Sequence, residues 1–124
     1  MNYFSREELQ CKCGCGQMKL SEGFINKLNR LRDAVGFPLP VTSGYRCPDH
    51  NAKVSATGRT GPHTREACDF GVAGDKAYIV LSAALQLGFK GIGVAQKGPV
   101  GSRFIHVDDL PRDASTPRPC VWSY

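Results

Sequence analysis

Two rhythms of apolar residues run along this chain, one of about 3.6 residues and one of two, and they divide it into helices and strands. From Ser21 onward, Phe24, Leu28, Leu31 and Val35 recur at helical spacing, with Ile25 widening the stripe and Gly36 placed to end it. Ahead of this amphipathic helix, "SREE" offers Ser5 as an N-cap with Glu8 three residues on, a capping box for one short helical turn. A second long helix is predicted over 75–87, with Tyr78, Leu81, Leu85 and the neighbouring Ala84 facing the core and Gly88 stopping it. "PDHNAKVSA" predicts a short helix with Pro48 in its first turn.

The shorter rhythm marks strands. Pro38 and Pro40 prevent helix, Val41 and Thr42 favour extension, and "SG" turns the chain, leaving Arg46 just past a strand end. "TGRTGPH" reads as a loop that carries His63. "REACDF" alternates, so that Ala67 and Asp69 share one face while Cys68 and Phe70 share the other. "GIGVA" and "RFIHVDD", separated by "QKGPVGS", predict a β-hairpin with a long loop, on which Phe104, His106 and Asp108 point to one side. The tail "PRDASTPRPCVWSY" reads as irregular, with Trp122 packed back on the domain. The order of elements predicts an α+β fold: a small antiparallel sheet with helices packed on it, in a single domain over 1–124.

Composition narrows the classes. A chain of 124 residues with 41% hydrophobic residues, 14 glycines and 8 prolines is long enough for one modest core rich in turns. No apolar stretch approaches the roughly 18 residues of a membrane span, and "MNYFSREELQ" lacks the regions of a secretory signal, so the expected product is cytoplasmic as synthesised, without a membrane partner. The net charge of +5 is spread without runs. Basic residues interleaved with stacking aromatics are missing, which argues against nucleic acid, and an anionic cell envelope suits the charge equally well. Six cysteines, three of them in "CKCGCG", allow a small zinc site of Cys11, Cys13 and Cys15, with Cys47 one candidate for a fourth ligand that the sequence does not identify. The spacing is not the usual C-x2-C, and reduced, partly buried thiols are the simpler expectation.

Asp69 poses the sharpest question, since a carboxylate in a buried strand is costly unless something pairs with it. His63 on the preceding loop and His106 on the last hairpin complete a set of two histidines and one carboxylate, the ligands of a catalytic zinc that keeps its fourth position for water. Taken singly, each residue also has an ordinary role, as a hydrogen-bonded core histidine or a turn-capping aspartate. His50 has no strand partner of this kind.

"VTSGYRCPDHN", a His-to-Asp segment ending "A-x-D", and "GIGV…RFIHVDD" together resemble the M15 zinc peptidases that act on bacterial cell-wall peptides, in particular the small D-alanyl-D-alanine carboxypeptidase-like branch found in phages and prophages. The resemblance spans nearly the whole chain. It implies the α+β fold shared with the Hedgehog signalling domain, and one zinc held by His63, Asp69 and His106. It also implies that Arg46 binds the substrate carboxylate or the developing oxyanion, for which a guanidinium fork is suited. Ser43 of the same motif binds substrate or shapes the turn.

The sequence departs from the family pattern twice. The usual H-x6-D with an internal glycine is here H-x5-D with Glu66 near that glycine's place, so His63 has to reach the site by a different loop. The glutamate that several relatives carry three residues before the last histidine is here Arg103, which cannot accept a proton at neutral pH. Asp108, two residues after His106 on the same face, then stands either as the general base or as the partner that orients His106 or Arg46. The expected function is zinc-assisted hydrolysis of peptidoglycan stem peptides by a monomer, at the D-Ala-D-Ala or the L-Ala-D-Glu bond, delivered to the wall by phage lysis or in a virion. The rival reading is a zinc-stabilised binding module without hydrolysis.

Overall fold

The computed structural model describes residues 2–124. Its first helix, α1 (Arg6–Leu9), is the predicted capping box: the Ser5 hydroxyl accepts the Glu8 amide and the Glu8 carboxylate accepts the Ser5 amide. Helix α2 (Glu22–Val35) starts where the Ser21 side chain accepts the Phe24 amide and ends at Gly36, whose φ of 75° is the left-handed cap conformation. Its buried face is Phe24, Leu28, Leu31 and Val35, as the periodicity predicts. Helix α3 (Pro48–Val54) follows strand β1 (Val41–Ser43), and α4 (Gly74–Gln86) follows β2 (Ala67–Phe70). Strands β3 (Gly91–Ala95) and β4 (Phe104–Asp108) form the expected hairpin. Among the described residues no helix is long and apolar enough to cross a membrane.

The five strands form one sheet in the order β1-β2-β4-β3-β5, antiparallel over its first four members. The fifth strand departs from the sequence reading. Residues Cys120–Ser123, expected to be irregular, form β5 and pair in parallel with β3, so the expected antiparallel sheet is a mixed one. The prolines of the tail all precede β5, and once past Pro119 the chain is free to donate to an edge.

Helix α4 is also rotated from its predicted face. Its buried residues are Ala77, Val80, Ala83 and Ala84, while Tyr78 is 75% and Leu85 60% exposed. Small side chains allow the helix to approach α2 and the sheet closely, and the bulkier stripe is turned outward. Of the predicted face only Ala84 is fully buried, with Leu81 packed at the margin.

One face of the sheet carries Cys68 and Phe70 of β2, Ile92 of β3, and Ile105 and Val107 of β4, packed with the buried residues of α2 and α4. The opposite face of β2 is buried too, although it carries Asp69.

Candidate metal centre

Strand register places one residue of each strand in line. Ser43 pairs with Asp69, Asp69 with His106, His106 with Gly93, and Gly93 with Trp122. Directly paired residues project from the same face, so the row gathers a carboxylate, an imidazole and an indole. Gly93 makes this possible by its size: a Cβ there would lie 2.8 Å from Trp122 Nε1. The indole instead leans across to His106, with ring centroids 5.0 Å apart. Gly91 serves the next row in the same way, since a Cβ at that position would collide with the carboxylate of Asp108.

His63 reaches the row from outside the sheet. A 3-10 turn over Pro62–Thr64 carries it, pinned by the Thr64 hydroxyl, which donates to the Gly61 carbonyl at 2.8 Å and accepts the Gly61 amide at 3.2 Å. The Arg46 amide donates to the His63 carbonyl at 2.8 Å. The shortened H-x5-D loop therefore still delivers the imidazole to Asp69. Glu66 is used structurally: its carboxylate accepts the Ser21 amide at 3.0 and 3.1 Å, tying the loop to the start of α2.

Hydrogen bonding assigns a role to each ring nitrogen. His63 Nδ1 lies 2.7 Å from the Gly44 carbonyl, which only accepts, so Nδ1 carries the proton and Nε2 presents a lone pair. His106 Nε2 lies 2.8 Å from Asp108 Oδ2, a carboxylate already paired with Arg118, so Nε2 donates and Nδ1 presents its lone pair. Both lone pairs face one atom, Asp69 Oδ1, at 3.2 and 2.9 Å. Three acceptors converging at that range repel one another unless a cation stands among them.

A proton on each imidazole can take the place of that cation. With the histidines protonated, and so donating to Asp69, burial pushes the Asp69 carboxyl up but hydrogen bonds from His106 and His63 outweigh it and hold the group well below the usual range. Burial likewise lowers the His106 imidazole, yet hydrogen bonds to Asp108 and Asp69 leave it raised. Two imidazoles with one carboxylate are a ligand set suited to zinc. The residues present therefore fit a zinc ion.

These ligands open onto a cavity of about 540 Å³ that is also lined by Arg46, Trp122 and Tyr124. Arg46 is held from behind: its Nε donates to Ser43 Oγ at 3.0 Å and its Nη1 to Asn51 Oδ1 at 3.1 Å. Ser43 thus fixes the guanidinium. Asn51, buried, donates in turn to Thr57 Oγ1 at 2.8 Å and to the Gly58 carbonyl at 2.7 Å.

Asp108 stands behind His106 rather than on the cavity wall. It is fully buried, and Arg118 grips both of its oxygens, Nε to Oδ1 at 2.9 Å and Nη2 to Oδ2 at 2.8 Å. Burial pushes this carboxyl up, and His106 and Arg118 hold it below its usual value. Arg118 in turn lies over the Trp122 ring, 5.1 Å from its centroid. Arg103 donates from Nε and Nη2 to the Gly98 carbonyl in the hairpin loop. His50 is not among the residues lining the cavity.

Asn51, Arg118 and Tyr124 escape a sequence reading. Asn51 is one polar residue among several in "PDHNAKV", and Arg118 and Tyr124 belong to a tail whose composition signals a loop. The available sign was the lone Cys-Val-Trp-Ser run after the last proline, short but able to form a strand.

Residues 2–108 match the model of the family described as Peptidase M15. No curated protein matches the chain.

Proposed function

This chain belongs to the peptidase M15 family, and we propose that it is a zinc-dependent peptidase hydrolysing the stem peptides of peptidoglycan. The observation that carries this reading is the convergence of His63 Nε2, His106 Nδ1 and Asp69 Oδ1 on the wall of a cavity that Arg46 also lines. Zinc held by these three residues would supply a Lewis acid for amide hydrolysis.

The chain's own groups account for the rest. Gly44 and Asp108 fix the tautomers of the two histidines, so each presents an unprotonated nitrogen to the ion. Arg118 keeps Asp108 ionised and aimed at His106. Ser43 and Asn51 hold the Arg46 guanidinium so that it can take up a carboxylate or an oxyanion with little loss of side-chain freedom. A stem peptide ending in D-alanine offers such a carboxylate. Trp122 and Tyr124 give the cavity an apolar wall, suited to small alanyl side chains.

A second reading is a zinc-stabilised wall-binding module without turnover. One observation favours it: among the described residues lining the cavity, Asp69 has the only side-chain carboxylate, and zinc binding would engage it. Incubation of the zinc-loaded protein with purified muropeptides, followed by mass spectrometry, separates the two. Release of D-alanine or of a cleaved stem, lost in Arg46→Ala and His106→Ala, supports the peptidase. Retention of zinc and of fragment binding with no product from any muropeptide rejects it in favour of the module.

A further inference from the structure

A second set of metal-ligating atoms lies apart from the histidine centre, at the N-terminal turn. The Sγ atoms of Cys11, Cys13, Cys15 and Cys47 all lie within 4.8 Å of one another. Cys11 and Cys13 are separated by 3.5 Å and Cys13 and Cys47 by 3.7 Å. A tetrahedron of thiolates around zinc, at a Zn–S distance of about 2.3 Å, has edges of about 3.8 Å. We propose that these four cysteines bind a structural zinc ion that fastens the N-terminal turn to the corner bearing Arg46.

The local backbone explains how cysteines spaced two apart can do this. In an extended strand they would lie nearly 7 Å apart along the chain. Here residues 12–15 form a turn instead, with Gly14 at φ 92° and Gly16 at φ 73°. A Cβ at either glycine would meet nothing within 4 Å, so these positions need glycine for its left-handed backbone and not for space. The fourth sulfur comes from Cys47, the N-cap of α3.

The surroundings are built for thiolates. The Cys47 amide donates to Cys11 Sγ at 3.3 Å, and the His50 amide donates to Cys47 Sγ at 3.4 Å. Cys11 and Cys47 are only 2% and 4% exposed, while Cys13 and Cys15 cover the outer side from the turn. Four sulfurs leave no open position, which is the mark of a structural rather than a catalytic ion.

The position gives the ion its purpose. Arg46 immediately precedes Cys47, and Gly44, whose carbonyl fixes the His63 tautomer, lies three residues before it. The same corner already docks on α1, where the Tyr45 amide donates to the Leu9 carbonyl at 2.8 Å. An ion shared between the turn and Cys47 therefore secures residues that serve the other site.

Cobalt provides the test, because thiolate ligands give an intense near-ultraviolet charge-transfer band that histidine and carboxylate ligands do not. The full chain, reduced and loaded with Co2+, is expected to bind two equivalents and to show that band. Cys13→Ser and Cys15→Ser, both on the exposed turn, should each abolish the band and one equivalent. His106→Ala should remove the other equivalent and leave the band intact. In the zinc-loaded protein, Cys13 and Cys15 should resist alkylation despite their exposure, and react after treatment with a chelator. A single equivalent that follows His106, with no thiolate band, overturns the proposal and leaves the peptidase reading untouched. Alkylation of the exposed thiols at the same rate with and without zinc overturns it as well.

Discussion

The two faces of the central strands are buried alike but held by opposite means. On one face Cys68, Phe70, Ile105 and Val107 meet α2 and α4 in an apolar core. On the other, Asp69, His106 and Asp108 are equally hidden from water, and each has a polar partner within hydrogen-bond distance. The apolar face is stabilised by the area it removes from water, a term that tolerates approximate shapes. The polar face repays its desolvation only if each group finds its partner in register. Among the described residues no buried side-chain nitrogen or oxygen lacks one. The candidate metal centre sits on the face where a misplaced atom costs more.

Substitutions on the two faces should therefore fail differently. The largest effect is expected from Asp69→Ala, which removes the atom on which both imidazoles converge. Muropeptide hydrolysis should drop to background and the metal of this site should be lost, while cooperative unfolding persists, as read by elemental analysis and thermal denaturation. Loss of the fold together with the metal would mean that the polar face is structural first.

Phe70→Ala, one residue along on the apolar face, should show the reverse. It is expected to cost about 3–5 kcal/mol in denaturant unfolding, while the protein that remains folded keeps its metal.

Asp108→Asn tests the connection between His106 and Arg118. If Asp108 orients His106, metal affinity measured by chelator competition should weaken roughly 10–100-fold. If it transfers protons instead, kcat should fall with metal affinity unchanged, and the orienting role is lost. The smallest effect belongs to Leu85→Ser. The side chain is exposed on the observed face of α4, so stability should shift by no more than about 0.5 kcal/mol. A loss of several times that would restore the face read from the sequence.

Legibility followed the range of the forces involved. The capping box at Ser5, the stripe of α2 and the stop at Gly36 rest on contacts within one or two turns, so local spacing reveals them. The face of α4 does not, because its sequence contains two stripes and the choice between them depends on how closely the sheet and α2 approach. Strand β5 hides for a similar reason, since four residues have little strand preference until the exposed edge of β3 is there to receive them.

By itself the sequence determined the kinds of atom available and their order: two histidines and an aspartate with the right donors, an arginine after "SGY", and a cluster of cysteines. Their meeting was decided by tertiary structure. The antiparallel register of β2 and β4 sets Asp69 beside His106, the 3-10 turn swings His63 in across a shortened loop, and the edge strand brings Trp122 over the site. The physical reason is that hydrogen-bond register and close packing act between segments far apart in the chain, where a one-residue slip of β2 or β4 would turn its ligand to the opposite face.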